Sequence, residues 1–312
     1  AFDTLGDREM RVHALRELAV VSAQRGQAAQ ALQELQRARA LLHELETGAE
    51  DWSHLTVQLS RLHRRCAAPA QAQQVLDDFV QRFGDQQAGV VAHVHLERAE
   101  LMLELGRPHA AWQALALAER CDASDRQHAA RLQLLRHELQ PTKAAPAADG
   151  SGLPNRSLQL ALARTAALSL PAGERARRLS QLAAQALDTG LVADALGLQA
   201  DTTLAWLEAG QADTAAEQAR QLAGALAEAT PSRYPPQVWW AVSRALPGPP
   251  ALQALEAGLA WITRALQGLP TEFAQSFVQR NDSNRLLLLD AARQPALAAL
   301  AARTARLAAG SA

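Results

Sequence analysis

The sequence predicts an all-α fold, an array of antiparallel helix hairpins, on three observations. Hydrophobic residues make up 48% of the 312 residues but aromatics only 4%, so the core has to be built mainly from Ala and Leu, which favour helix. Apolar residues recur at three- and four-residue steps, as in Ala28, Ala31, Leu32, Leu35, Ala38, Leu42 and Leu45, which marks one face of a helix. No stretch alternates apolar and polar positions with β-branched residues, so no sheet is expected.

In chain order, helices are expected over 8–25, 28–46, 51–66, 69–83, 88–105, 108–121 and 124–139. In the fifth, Val94, Leu101, Met102 and Leu105 repeat the apolar stripe before Gly106. A break follows, "QPTKAAPAADGSGLPN" from residue 140. Its Pro, Gly, Ser and Ala content and scarcity of bulky apolar residues read as a flexible linker over 140–156. Helices resume over 157–169, 173–189, 191–209, 212–229, 236–246, 251–267, 271–279, 283–292 and 295–309. The expected organisation is thus an N-terminal array, 1–139, the linker, and a C-terminal array, 157–312.

Alignment on the helix-breaking glycines explains the placing of the small residues. Seven residues before Gly26, Gly106, Gly190 and Gly210 stand Ala19, Ala99, Ala183 and Thr203. Five after them stand Ala31, Ala111, Ala195 and Ala215, and twelve after, Ala38, Ala118, Thr202 and Leu222. Two antiparallel helices approach closely only where facing side chains are small. A glycine supplies the positive φ that ends the first helix. Gly190 and Gly210 are close enough that 191–209 has to close one hairpin and open the next.

This spacing resembles the tetratricopeptide repeat, a helix–turn–helix unit of about 34 residues. The likeness is strongest at 12–45 and 92–125 and weaker across 176–229. Leu15 and His95 stand where the family has Trp, and Ser22 and Met102 where it has Tyr. The resemblance implies an α-solenoid, a superhelix whose concave face is lined by the first helix of each pair. A second stretch, "LPTEFAQSFVQRNDSNRLLLLDAAR" at 269–293, is similar to the closing segment of helical-repeat regions in large bacterial signalling proteins. Those proteins join such regions to ATPase, cyclase, kinase or DNA-binding domains, which implies a regulatory role here. Read physically, Pro270 and Thr271 open a helix in which Phe273 and Phe277 share a face. Asn281 to Ser283 offer an N-cap for the helix that carries Leu286–Leu289, and the whole stretch fits a terminal cap over the last hydrophobic face.

Lys plus Arg total 31 against 32 for Asp plus Glu, a formal net charge of −1, which lacks the basic excess of a nucleic-acid or anionic-membrane binder. Two cysteines, Cys66 and Cys121, cannot build a disulfide framework and suit a reducing compartment. No apolar run approaches the roughly 20 residues that span a bilayer. The opening "AFDTLGDREMRVHAL" has no initiator Met and no leader-like pattern, so the expectation is a cytoplasmic piece of a longer protein.

Motifs for catalysis are absent: there is no G-x-S-x-G, P-loop, G-x-G-x-x-G or H-E-x-x-H. His93 and His95 lie two apart on a helix, about 200° from each other, and cannot share an ion. His63 and Cys66 are only two ligands, too few for a tetrahedral site. Cys66 has His63, Arg64 and Arg65 nearby to lower its pKa, but reads better as a small residue at a helix end. The basic clusters "RLHRRC" and "ERARR" (174–178) read as solvated helix faces. Trp239 and Trp240, after "YPPQV", read as a packed corner that doubles as a candidate apolar contact surface. No metal, cofactor or catalytic residue is assigned.

By the family's pattern, the concave face carries His13, Arg16, Glu17, Val20 and Gln24 from the first unit, and His93, Leu96, Glu97, Glu100 and Glu104 from the second. Such a mixed, partly acidic surface suits a polypeptide segment carrying basic residues. The expectation is a non-catalytic interaction or scaffold domain; the alternative is a sensory domain enclosing a small ligand or signal peptide. The Lys–Asn clamp for chaperone C-termini is excluded, because Asn155, Asn281 and Asn284, the chain's asparagines, lie outside both sets.

Overall fold

The computed structural model describes residues 5–25, 27–45, 47–84, 88–120, 125–140, 152–227, 232 and 234–310. Gly26, Cys121 and residues 141–151, most of the expected linker, lie outside them. The described residues form sixteen α-helices and no strand. In order they are α1 (Leu5–Gln24), α2 (Ala28–Leu45), α3 (Ala49–Arg65), α4 (Pro69–Phe83), α5 (Ala88–Glu104), α6 (Pro108–Arg120), α7 (Arg126–Leu139) and α8 (Arg156–Leu168). Then come α9 (Ala172–Asp188), α10 (Val192–Glu208), α11 (Ala212–Ala227), α12 (Pro235–Ala245), α13 (Pro249–Leu266), α14 (Thr271–Gln279), α15 (Asp282–Ala292) and α16 (Ala298–Ala308). Asp125, Asn155 and Asn281 cap α7, α8 and α15, each accepting from a backbone N–H of the first turn.

The glycine register governs the hairpins. At Gly106, Gly190 and Gly210 φ is positive, and the next residue's N–H reaches back to Met102, Ala186 and Trp206, closing the turn with a Schellman bond. The small residues seven before and five after are buried in every copy: Ala19 and Ala31, Ala99 and Ala111, Ala183 and Ala195, Thr203 and Ala215. The α3–α4 turn is built the same way without a glycine. Ala67 takes φ 58°, and the Ala68 N–H donates to the His63 carbonyl at 2.9 Å. Ser60 and Ala72, at the same two offsets, are fully buried. The sequence concealed this unit because Ala stands where the others have Gly.

Within the array, α1 packs on α2, α3 on α4, α5 on α6, α9 on α10 and α12 on α13. A continuous row of helix contacts also runs along the series α1, α3, α5, α7, α8, α10, α12. The largest core cluster does not respect the boundary expected at the linker. It joins residues between Val12 and Ala111 with residues between Leu255 and Ala308. Leu153, expected inside the linker, is also buried, against Ala130 and Leu134 of α7 and Leu158 and Leu162 of α8. An apolar side chain at the end of the polar segment seals the α7–α8 contact.

Helix α13 and the closing segment dock on the C-terminal ends of α3 and α5, where backbone carbonyls have no helical partner. Trp261 Nε1 donates to the Arg65 carbonyl at 3.3 Å, Asn281 Nδ2 to the Glu104 carbonyl at 3.0 Å, and Ser276 Oγ to the Leu105 carbonyl at 2.6 Å. Phe277 is buried, and Phe273 lies under the Arg107 guanidinium. Asn284 is fully buried and satisfied: it accepts from Tyr234 Oη and donates to the Phe277 carbonyl. Among the described residues no helix is long and apolar enough to cross a membrane.

Candidate functional site

One face of α5 carries His93, Glu97, Glu100 and Glu104, residues at helical spacing that fall within about 60° of one another. The sequence reading had this face open to a basic partner. In the structure the basic partner is the chain itself. Arg61 and Arg64 of α3 and Arg131 of α7 close on it from either side. Glu97 is fully buried and accepts from Arg61 Nε at 2.9 Å, Arg64 Nη1 at 2.5 Å and Arg131 Nη2 at 3.1 Å. Arg131 also binds Glu100 at 2.5 Å, and Arg64 grips Glu104 through Nε and Nη2 together, the bidentate geometry that gives strong, directional pairing.

Three carboxylates and three guanidinium groups balance. Burial pushes the Glu97 carboxyl up, but the arginines outweigh it and hold it below its ordinary value. Burial likewise works against the charge of Arg64, and Glu104, Glu97 and Glu100 outweigh it, raising its pKa. Arg61 and Arg64 of the "RLHRRC" cluster are therefore counter-charges of the acidic face rather than part of a solvated helix face. The signal lies in the spacing: Arg61 precedes Glu97 by 36 residues, close to the repeat length, so stacked first helices bring them level.

The same register recurs in the second half. Arg164 Nε of α8 donates to Asp201 Oδ2 of α10 at 2.5 Å, and Gln237 Nε2 of α12 to Asp201 Oδ1 at 2.5 Å. The pairs are 37 and 36 residues apart. Asp201 raises the pKa of Arg164.

A second row runs beside the first half of this ladder. The His93 ring stacks on that of His54 from α3 at 6.5 Å between centroids and meets His128 of α7 edge-on at 5.8 Å. Burial lowers all three pKa values, with Arg16 adding to the effect at His54 and Arg131 at His93 and His128. His95, on the opposite side of α5, is buried. Arg16 is buried at 7% exposure, and its Nε and Nη1 have no acceptor among the described residues. Of the residues expected on one open face, His13 and Glu17 are exposed and Val20, Gln24, His93, Glu100 and Glu104 half-buried, while Arg16, Leu96 and Glu97 are interior.

Trp239 and Trp240 are half-buried. Trp239 packs against core residues, and Trp240 Nε1 donates to Asp290 at 3.0 Å, so this corner is a joint between α12 and α15. At Cys66, partial burial pushes the thiol up, Arg65 and Arg264 pulling the other way. Arg64, one of the groups expected to activate it, is committed to the glutamates.

The other side of α3 is where the chain leaves space. Trp52, Leu55, Thr56 and Leu59 lie roughly opposite His54 and Arg61 around the helix and back a cavity of about 200 Å³ between α2 and α4. Val75 and Phe79 complete its apolar wall, and Arg39, His43, Asp78 and Arg82 form its polar rim. Arg39 meets Asp78 at 3.8 Å. The Arg82 guanidinium lies 4.7 Å from the Trp52 ring centroid and 4.9 Å from that of Phe83. Trp52 is buried, and its indole N–H finds no acceptor among the described residues. Sequence reading passed over this pocket because its residues form an ordinary apolar stripe along each helix. It exists only where α2, α3 and α4 come together in the fold.

No family model matches the chain, and no curated protein matches it.

Proposed function

We propose that the chain is a non-catalytic interaction module, a tetratricopeptide-like helical array that holds a polypeptide segment and couples it to the regulation of a larger signalling protein. The observation that supports this most is the division of labour around α3. On one side the charges are consumed within the chain; on the other, an apolar pocket with a charged rim stays open. The docking site moves accordingly, from the acidic face of α5 to the groove between α2 and α4. The pocket's size favours a side chain over a metabolite. Small-molecule sites usually enclose about 300–1,000 Å³, whereas a cavity of about 150 Å³ already accepts a benzene ring.

A phage-displayed random peptide library panned on the whole chain tests the reading. Enriched peptides should share one apolar anchor and lose binding to Val75→Phe, which fills the pocket from a half-buried wall position. Enrichment that ignores this substitution would place the site elsewhere. A thermal-shift screen in which only metabolites stabilise the chain would favour the sensory alternative.

A further inference from the structure

We propose that the pocket between α2 and α4 selects a polypeptide in which one aromatic or large aliphatic side chain is flanked by acidic residues. This rests on the interaction-module reading and adds the chemistry of the partner. The apolar wall and a volume of about 200 Å³ set the anchor: one ring or one branched aliphatic chain fills the space. The rim sets the flanks. It carries Arg39, Arg82 and His43 against the single carboxylate of Asp78, which Arg39 already engages.

Among the described residues no carboxylate pairs with Arg82, and its guanidinium rests on the faces of Trp52 and Phe83. A guanidinium stacked in this way keeps its in-plane N–H groups directed outward, the geometry that takes a carboxylate side by side. An incoming acidic residue would thus find a held, unneutralised cation at the pocket's edge. A basic flank would meet Arg82 and Arg39, and among the described rim residues the one carboxylate, Asp78, is already engaged. The acceptor-less indole N–H of Trp52 gives the wall a spectroscopic reporter that responds to anything bound there.

Three fluorescein-labelled pentapeptides test this by anisotropy: phenylalanine between pairs of aspartates, phenylalanine between pairs of lysines, and alanine between pairs of aspartates. The first should bind most tightly, weaken with salt, and shift the Trp52 indole cross-peak in a ¹H–¹⁵N spectrum, assigned by its loss in Trp52→Phe. Arg82→Glu, a change at an exposed position, should weaken it about tenfold and reverse the preference between the acidic and basic peptides. Val75→Phe should abolish it while the circular dichroism spectrum stays that of the parent chain. If both phenylalanine peptides bind equally, move the Trp52 signal and ignore Arg82→Glu, the pocket is a docking site but the acidic preference is wrong. If no phenylalanine peptide moves the Trp52 signal at millimolar concentration, both the preference and the docking site are wrong.

Discussion

Glycines that look alike in the sequence are unequal in the fold. Gly106 and Gly190 both need positive φ, but their surroundings differ. A Cβ on Gly106 would lie 2.4 Å from the Ser276 carbonyl oxygen and 2.8 Å from Arg280 Cβ, while one on Gly190 would meet nothing within 4 Å. Gly190→Ala should therefore cost only the left-handed backbone penalty, about 1–2 kcal/mol. Gly106→Ala adds overpacking of about 1–3 kcal/mol, because the clash is with backbone. Urea unfolding of the two variants checks this; equal losses would show that α14 does not seat on the α5–α6 turn. The turn role of Gly106 was legible in the sequence. Its second role was not, because the docking partner lies 170 residues away. Ala67 shows the converse: the geometry persists where the marker residue is lost, so a register read from glycine alone skips the α3–α4 hairpin.

At the scale of elements, the helices were legible because each needs only local information, an apolar stripe, a cap and a turn. Observed ends differ from the expected ones by at most three residues. The rows across α3, α5 and α7 were not legible, since which residues come level depends on how hairpins stack. His54, His93 and His128 give this stacking a pH signature. Their pKa values in the fold are lowered, first by burial, against an ordinary value near 6.5 in the unfolded chain. As pH falls through about 6.5 the unfolded chain takes up protons that the fold resists, so stability present above that pH is lost below it. Glu97, whose pKa is lowered, acts in a separate and more acidic window, below the ordinary carboxylate value. The urea midpoint should drop between pH 7.5 and pH 5.5, and the drop should shrink in His93→Gln. An unchanged drop in that variant would remove the row from the account.

At the scale of the molecule, α13 and the closing segment bind the two halves of the sequence into one core. Capping bonds from Trp261, Ser276 and Asn281 reach carbonyls 171 to 196 residues away. With an engineered protease site between residues 145 and 146, the cut chain should elute as one species in gel filtration. Separation into two folded pieces would mean that this contact is too weak to hold them.

The claim beneath both the fold and the relocated docking site is that the acidic face of α5 belongs to the interior. A double-mutant cycle on Glu97→Gln and Arg131→Met, followed by urea unfolding, tests it most directly. Removing one member of a buried charge network leaves its partners uncompensated, so Glu97→Gln should cost about 3–5 kcal/mol. Contact between Glu97 and Arg131 at 3.1 Å should give a coupling of about 0.5–3 kcal/mol. A loss within about 0.5 kcal/mol for Glu97→Gln, the range of exposed positions, together with no coupling, would contradict the account and return the acidic face to solvent and to an outside partner.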